Sequence, residues 1–152
     1  MTPGHRLLAA VAALAIAVAL WQLHGAEAGV TTQSLRFGDT PARVYRPVAG
    51  GPAPVVVIAH GFAGSQRLMQ GYAQALARNG YVAVTFDFLG HGRHPRPLTG
   101  SITEATGATE RLVTQLADVT AAARPLGDGR LAVLGHSMAT DVLVRFASAT
   151  PD

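Results

Sequence analysis

The sequence predicts an α/β fold built on a mostly parallel central sheet. Three observations lead there. Residues 54–59 are a continuous run rich in β-branched side chains, the mark of a strand covered on both faces, and residues 81–86 and 131–134 read as two further buried strands. Segments of helical periodicity separate and follow these runs, as in βαβ units. Ahead of them, residues 32–37 and 42–46 alternate polar and apolar around Gly38-Asp39-Thr40-Pro41, which is turn chemistry. A hairpin with one exposed face is therefore expected to add antiparallel strands at one edge.

Taken in order, the chain opens with a targeting segment. His5 and Arg6 precede 14 uninterrupted apolar residues, 7–20. That run is short of the roughly 20 residues of a membrane span and matches the hydrophobic region of a signal peptide. Ala26-Glu27-Ala28 has the small-x-small form of a cleavage site, which places a cut after Ala28. Extended through Leu23, the stretch reaches 17 residues, the lower edge for an anchor. Residues 1–28 thus read as a signal peptide or N-terminal membrane anchor, with a buried core helix as the plainer reading. Residues 29–152 form the domain, exported across the cytoplasmic membrane and either secreted, periplasmic or anchored.

Within the domain, Ser65 is placed to cap a helix running to Asn79, with Leu68, Tyr72, Ala75 and Leu76 as its apolar stripe and Asn79-Gly80 as its stop. Met69 and Tyr72 read as packing residues. Residues 87–100 form a long loop that holds Gly90, Gly92, Pro95 and Pro97, and Asp87 is expected to cap the turn that Gly90 and Gly92 complete. Ser101 and Glu104 have capping-box spacing for a helix that carries Leu112, Leu116, Val119 and Ala123 on one face. Leu126-Gly127-Asp128-Gly129 is a turn, and residues 138–149 read as a last helix.

Composition removes several chemistries. All 12 basic residues are Arg, so no Lys is present for a Walker-type phosphate loop, a Schiff base or a Ser-Lys dyad. With no Cys, disulfides, thiolate catalysis and Cys metal sites are excluded. The net charge of +3 comes from scattered Arg residues with no basic run, so no nucleic-acid partner is expected. Charged residues make up 14%, well under the average of about 25%, which fits strands buried on both faces and an apolar leader.

The informative stretch is Leu131-Ala132-Val133-Leu134-Gly135-His136-Ser137-Met138-Ala139. A buried strand runs straight into Gly-His-Ser-Met-Ala and a helix begins directly after, the context of a nucleophile elbow. A serine on such a tight turn needs small neighbours two positions to either side. Gly135 meets that, and Ala139 stands where Gly is usual, adding one methyl to the turn. The following helix points its free N–H groups at the place where negative charge develops.

In order and context, the chain resembles the N-terminal half of an α/β-hydrolase. The hairpin comes first, then His60-Gly61-Phe62 after the third strand, residues 87–92 after the fourth and Gly-His-Ser-Met-Ala after the fifth. The resemblance spans residues 32–152. It implies a sheet with helices on both faces, Ser137 as nucleophile, and backbone N–H groups of Phe62 and Met138 as the oxyanion hole. Gly135, His136, Ala139, His60 and Gly61 would support the elbow and the loop. It implies no cofactor and no metal. His91 and His94 lie in the long loop without a third ligand at suitable spacing, and Asp141 falls in the first turn of the last helix, where the dipole favours a carboxylate.

The family's chain order is Ser, then acid, then His. No His follows Ser137 in these residues. The chain is therefore expected to be a truncated hydrolase domain, ending after the nucleophile helix and catalytically incomplete, with the strand at 131–134 left as an edge. The leading reading is a serine hydrolase of esterase or lipase type that acts on a small-molecule ester or acyl substrate. Ser at the elbow, where the family's epoxide hydrolases and dehalogenases place Asp, favours it. The alternative is a non-catalytic exported binding domain on the same scaffold. A Rossmann-like nucleotide site is disfavoured, because Pro95 stands where the third Gly of the Gly90-His91-Gly92 fingerprint would fall. Residues 7–23 give a membrane contact if the leader stays uncleaved.

Overall fold

The structure is a computed structural model that describes residues 2–101 and 107–150. The hairpin comes first: β1 (Val30–Phe37) pairs antiparallel with β2 (Thr40–Pro47), with Phe37 opposite Thr40. That register leaves a two-residue loop, Gly38-Asp39, and Gly38 takes the positive φ of 56° that such loops need and that glycine adopts without steric cost. The three apolar runs form β3 (Val55–Ala59), β4 (Val82–Phe86) and β5 (Leu131–Gly135), which are mutually parallel. The strand order is β1-β2-β4-β3-β5, with β2 antiparallel to β4. The predicted architecture is the one observed.

Strand alternation divides the core in two. Val55, Val57 and Ala59 of β3 point to the face covered by α3 (Ala108–Ala123) and α4 (Met138–Ala149), where they join Val44, Val84, Phe86, Leu116 and Val142. Val56 and Ile58 point to the opposite face, against α2 (Gln70–Arg78), with Tyr45, Met69, Ala73 and Ala77. A strand with apolar side chains on both sides is stable only when both sides are covered, which is why these runs do not alternate. The predicted stripe of α3 is observed, with Leu112, Leu116, Val119 and Ala123 all buried.

Three local expectations are corrected. Ser65 does not cap α2: the helix starts at Gln70 after a turn at 66–69, and its N-cap is Met69, which makes no side-chain bond. The buried face of α2 is Met69, Ala73 and Ala77 at i, i+4 spacing, while Leu68, Tyr72 and Ala75 are exposed and Leu76 is half-buried. The late start rotates the stripe, and small alanines let α2 approach the sheet. β5, read as a buried strand, is only partly buried: it pairs with β3 on one side and is, as expected, an edge, the last strand of the sheet among the described residues. Glu104, half of the proposed capping box, lies outside the described residues; α3 begins at Ala108, with no side-chain cap on Gly107.

The N-terminal segment is the helix α1 (Pro3–Glu27), exposed along its apolar length rather than packed into the domain. Its stretch Pro3–Leu23 has 21 residues, a mean hydropathy of 2.0 and no buried part. That removes the core-helix reading, since a core helix buries its apolar side chains against the fold.

Candidate active site

The parallel pairing of β3 with β5 builds the site. Ala59 lies beside Gly135, and the His136 amide donates to the Ala59 carbonyl at 3.1 Å, so His60-Gly61 and His136-Ser137 leave the sheet side by side. Their approach is close: a Cβ on Gly61 would lie 2.9 Å from Ser137 Cβ and 3.1 Å from the His136 carbonyl oxygen. Gly61 is therefore a contact residue whose missing side chain makes room for the serine.

Ser137 has φ 55° and ψ −118°, a conformation that L-residues disfavour by about 1–3 kcal/mol. Among the described residues only Ala63 shares a positive φ without being glycine, and it sits two residues beyond Gly61. Both strained positions thus flank one point. The small-neighbour requirement is visible too. A Cβ on Gly135 would lie 2.9 Å from the Ala139 carbonyl oxygen, whereas the methyl of Ala139 is fully buried in the core, so the departure from Gly is accommodated.

Ser137 stands at the N-cap of α4 but makes no side-chain cap bond, and its hydroxyl is exposed and without a hydrogen-bond partner among the described residues. Met138 is the first helical residue, so its amide has no carbonyl one turn earlier to bond. Across the gap, the Phe62 amide donates no hydrogen bond among the described residues, and the Phe62 ring is 78% exposed, edge-on to His91 at 5.8 Å. His136 is exposed at the rim.

His60 is locked. It is fully buried, its Nε2 accepts from the Phe88 amide at 3.0 Å, and so Nδ1 carries the proton and donates to the Gly61 carbonyl at 2.7 Å. Burial pulls its pKa below the ordinary 6.5, the Gly61 carbonyl partly opposing this. A second proton on Nε2 would face the Phe88 N–H. His60 is a neutral brace between the two loops and has no free nitrogen to take a proton from Ser137.

Asp87 is the second brace, and it is held inside the fold. Only 1% exposed, it accepts from the Gln66 amide at 2.7 Å, from Gln66 Nε2 at 2.8 Å and from the Arg93 amide at 3.0 Å. It caps the turn that Gly92 completes, as expected, and a Cβ on Gly92 would strike the carboxylate. Its additional hold on Gln66 was not legible in sequence. Nor was Gln115 of α3, whose Oε1 accepts from the Leu89 amide at 2.8 Å and whose Nε2 donates to Thr40 Oγ1 at 3.0 Å. The available signal was a polar amide on the buried face of α3, beside Leu116.

The loop histidines diverge. His91 turns toward His60 and Phe62, whereas His94 turns toward Thr40 and Arg96. Among the described residues no three His, Asp or Glu side chains are grouped to hold a metal. Asp141 pairs with Arg145 at 3.1 Å, one turn along α4.

A family model described as alpha/beta hydrolase fold matches residues 54–152. No curated relative matches. Among solved structures, the chain is similar to a thioesterase domain from the curacin biosynthetic pathway (28% identity, TM-score 0.57), covering 80% of this chain and 40% of that one. It is similar to a bacterial membrane phospholipase A (25% identity, TM-score 0.59), covering 97% and 47%. An epoxide hydrolase from Vigna radiata shares the fold (24% identity, TM-score 0.58), over 81% of this chain and 35% of that one. The chain thus spans between about a third and a half of the length of these structures. With the sheet order, the elbow and the family match in agreement, the chain belongs to the alpha/beta hydrolase family.

Proposed function

We propose that this protein is a serine hydrolase that cleaves carboxylic esters through an acyl-enzyme on Ser137. The elbow carries this reading: a strained serine, its hydroxyl not used as a cap, seated against Gly61 at the start of α4. Oγ adds to the ester carbonyl carbon, and the oxygen that gains negative charge is assigned to the amides of Phe62 and Met138. The alcohol leaves with the proton that Oγ gives up, and water then adds to the acyl group, breaking its bond to Oγ, releasing the carboxylic acid and restoring the hydroxyl. Serine suits this course because its attack leaves a hydrolysable ester. An Asp at the elbow would instead supply the carboxylate that opens an epoxide.

The Oγ proton needs an acceptor, and His60 is unfit because both of its nitrogens are engaged. In the family's chain order the acid and the histidine follow the serine, so we place both C-terminal to α4. We read α1 as an export signal or anchor: its 21-residue apolar stretch is about 30 Å long, the thickness of a bilayer core.

A fluorophosphonate probe tests the proposal on the protein in its natural host. The expected result is a single adduct on the peptide that holds Ser137, lost in Ser137→Ala. An unlabelled Ser137 in the folded protein refutes it and favours a non-catalytic binding domain on the same scaffold.

A further inference from the structure

Between the hairpin and the loops after β3 and β4 lies a cleft of about 480 Å³ whose walls carry four arginines, Arg36, Arg43, Arg67 and Arg93. We propose that this cleft is an anion site that takes a phosphate group. The proposal does not rest on the role of Ser137.

The four guanidinium groups come from three separate parts of the chain. Arg36 and Arg43 stand on β1 and β2, on the sheet face that carries α2. On that face Arg43 lies opposite Ser34, whose hydroxyl also lines the cleft. Arg67 follows Gln66 in the loop after β3, and Arg93 belongs to the loop after β4. Asp87 ties both loops down, because it accepts from the amides of Gln66 and Arg93. The main-chain positions of the four arginines are therefore set by two strands and one buried clamp.

The charge is only partly offset: one carboxylate, Asp87, shares the wall, and the Arg36 guanidinium donates to the Asp39 carbonyl at 2.8 Å. The ion pairs among the described residues engage Arg96, Arg130 and Arg145, none of which lines the cleft. Among the described residues the only carboxylate in the wall is Asp87, which is 1% exposed and already accepts three N–H bonds. Four like charges around one concavity repel one another, and an anion between them relieves that repulsion. Guanidinium groups match a phosphate in particular, since each presents two parallel N–H donors to two oxygens. The volume exceeds that of the bare ion and leaves room for part of a phosphate ester.

The test is calorimetric titration of the full chain, held in a non-ionic detergent, with inorganic phosphate at constant ionic strength in chloride. Saturable binding is expected. The double variant Arg43→Gln/Arg67→Gln should weaken it by about tenfold or more, and Arg111→Gln, outside the cleft, by less than about twofold. Should the double variant fail to fold, phenylglyoxal modification of the unaltered chain decides. Phosphate should slow the reaction of Arg43, Arg67 and Arg93 but not that of Arg111. Short-chain phosphatidic acid separates the sources. Competition with phosphate assigns a lipid headgroup, and its failure to compete assigns a soluble phosphate compound. Phosphate binding no better than chloride, or equal loss in Arg111→Gln, overturns the proposal. Fluorophosphonate labelling of Ser137 is a separate readout, so either reading can fail alone.

Discussion

Replacing Asp87 by Asn tests what holds the two site loops in place. The substitution keeps size and shape but removes the charge and turns one acceptor oxygen into a donor. Oδ1 accepts from the Gln66 amide, and Oδ2 accepts from both Gln66 Nε2 and the Arg93 amide. If Asn keeps its oxygen at the Oδ2 position, the Gln66 amide faces an NH2 group. If the oxygen sits at the Oδ1 position, Gln66 can flip its side chain and offer its free Oε1, but the Arg93 amide is then stranded. At least one main-chain donor loses its acceptor either way, the Gln66 amide in a buried place or the Arg93 amide in a part-buried one. A stranded buried donor costs about 1–3 kcal/mol, so Asp87→Asn should destabilise by about that amount. Asp87→Ala, which strands all three donors, should cost more. Urea unfolding of the full chain in detergent, followed by tryptophan-independent circular dichroism, measures both variants. A loss in Asp87→Asn below about 0.5 kcal/mol would show that the clamp is not what joins the loops, and the preorganisation argued for the arginine cleft would go with it.

Three further outcomes follow from the same geometry. Ser137→Gly relieves the positive φ of 55° and should raise stability by about 1 kcal/mol while removing the nucleophile; an unchanged or lowered unfolding midpoint contradicts strain at the elbow. Gly61→Ala places a methyl 2.9 Å from Ser137 Cβ and should cost about 1–3 kcal/mol by overpacking, with slower fluorophosphonate labelling; labelling at the native rate denies the contact its role. His60 has a folded pKa below its ordinary 6.5, so the unfolded chain binds the extra proton first: its contribution is present above pH 6.5 and lost as pH falls through the lower folded value. Stability should therefore drop on acidification below pH 6.5, and His60→Gln should flatten that slope; an equal slope in the variant refutes a buried neutral imidazole.

The secondary structure was legible where local rules govern. The strand runs, the buried stripe of α3 and the Gly-His-Ser-Met-Ala turn all depend on near neighbours in sequence, and each is observed in its expected place, whereas the turn expected over Gly38-Asp39-Thr40-Pro41 closes as the two-residue loop Gly38-Asp39, with Thr40 and Pro41 in β2. α2 was misread because its start was set by a local turn at 66–69 that a serine in capping position does not reveal. The buried clamp of Asp87 was half legible: the turn with Gly92 is local, but Gln66 is 21 residues away.

By itself, then, the sequence determined the order and type of the elements and the identity of the residue at the elbow, because periodicity, β-branching and turn chemistry act over a few positions. Only the tertiary structure decided what meets that residue. Parallel pairing of β3 with β5 sets Gly61 against Ser137, and the same pairing rules carry four arginines, spread from position 36 to position 93, to the rim of one cleft. Such meetings depend on strand register and on which face a loop crosses, and those are fixed by burial across the whole sheet rather than by any short stretch of chain.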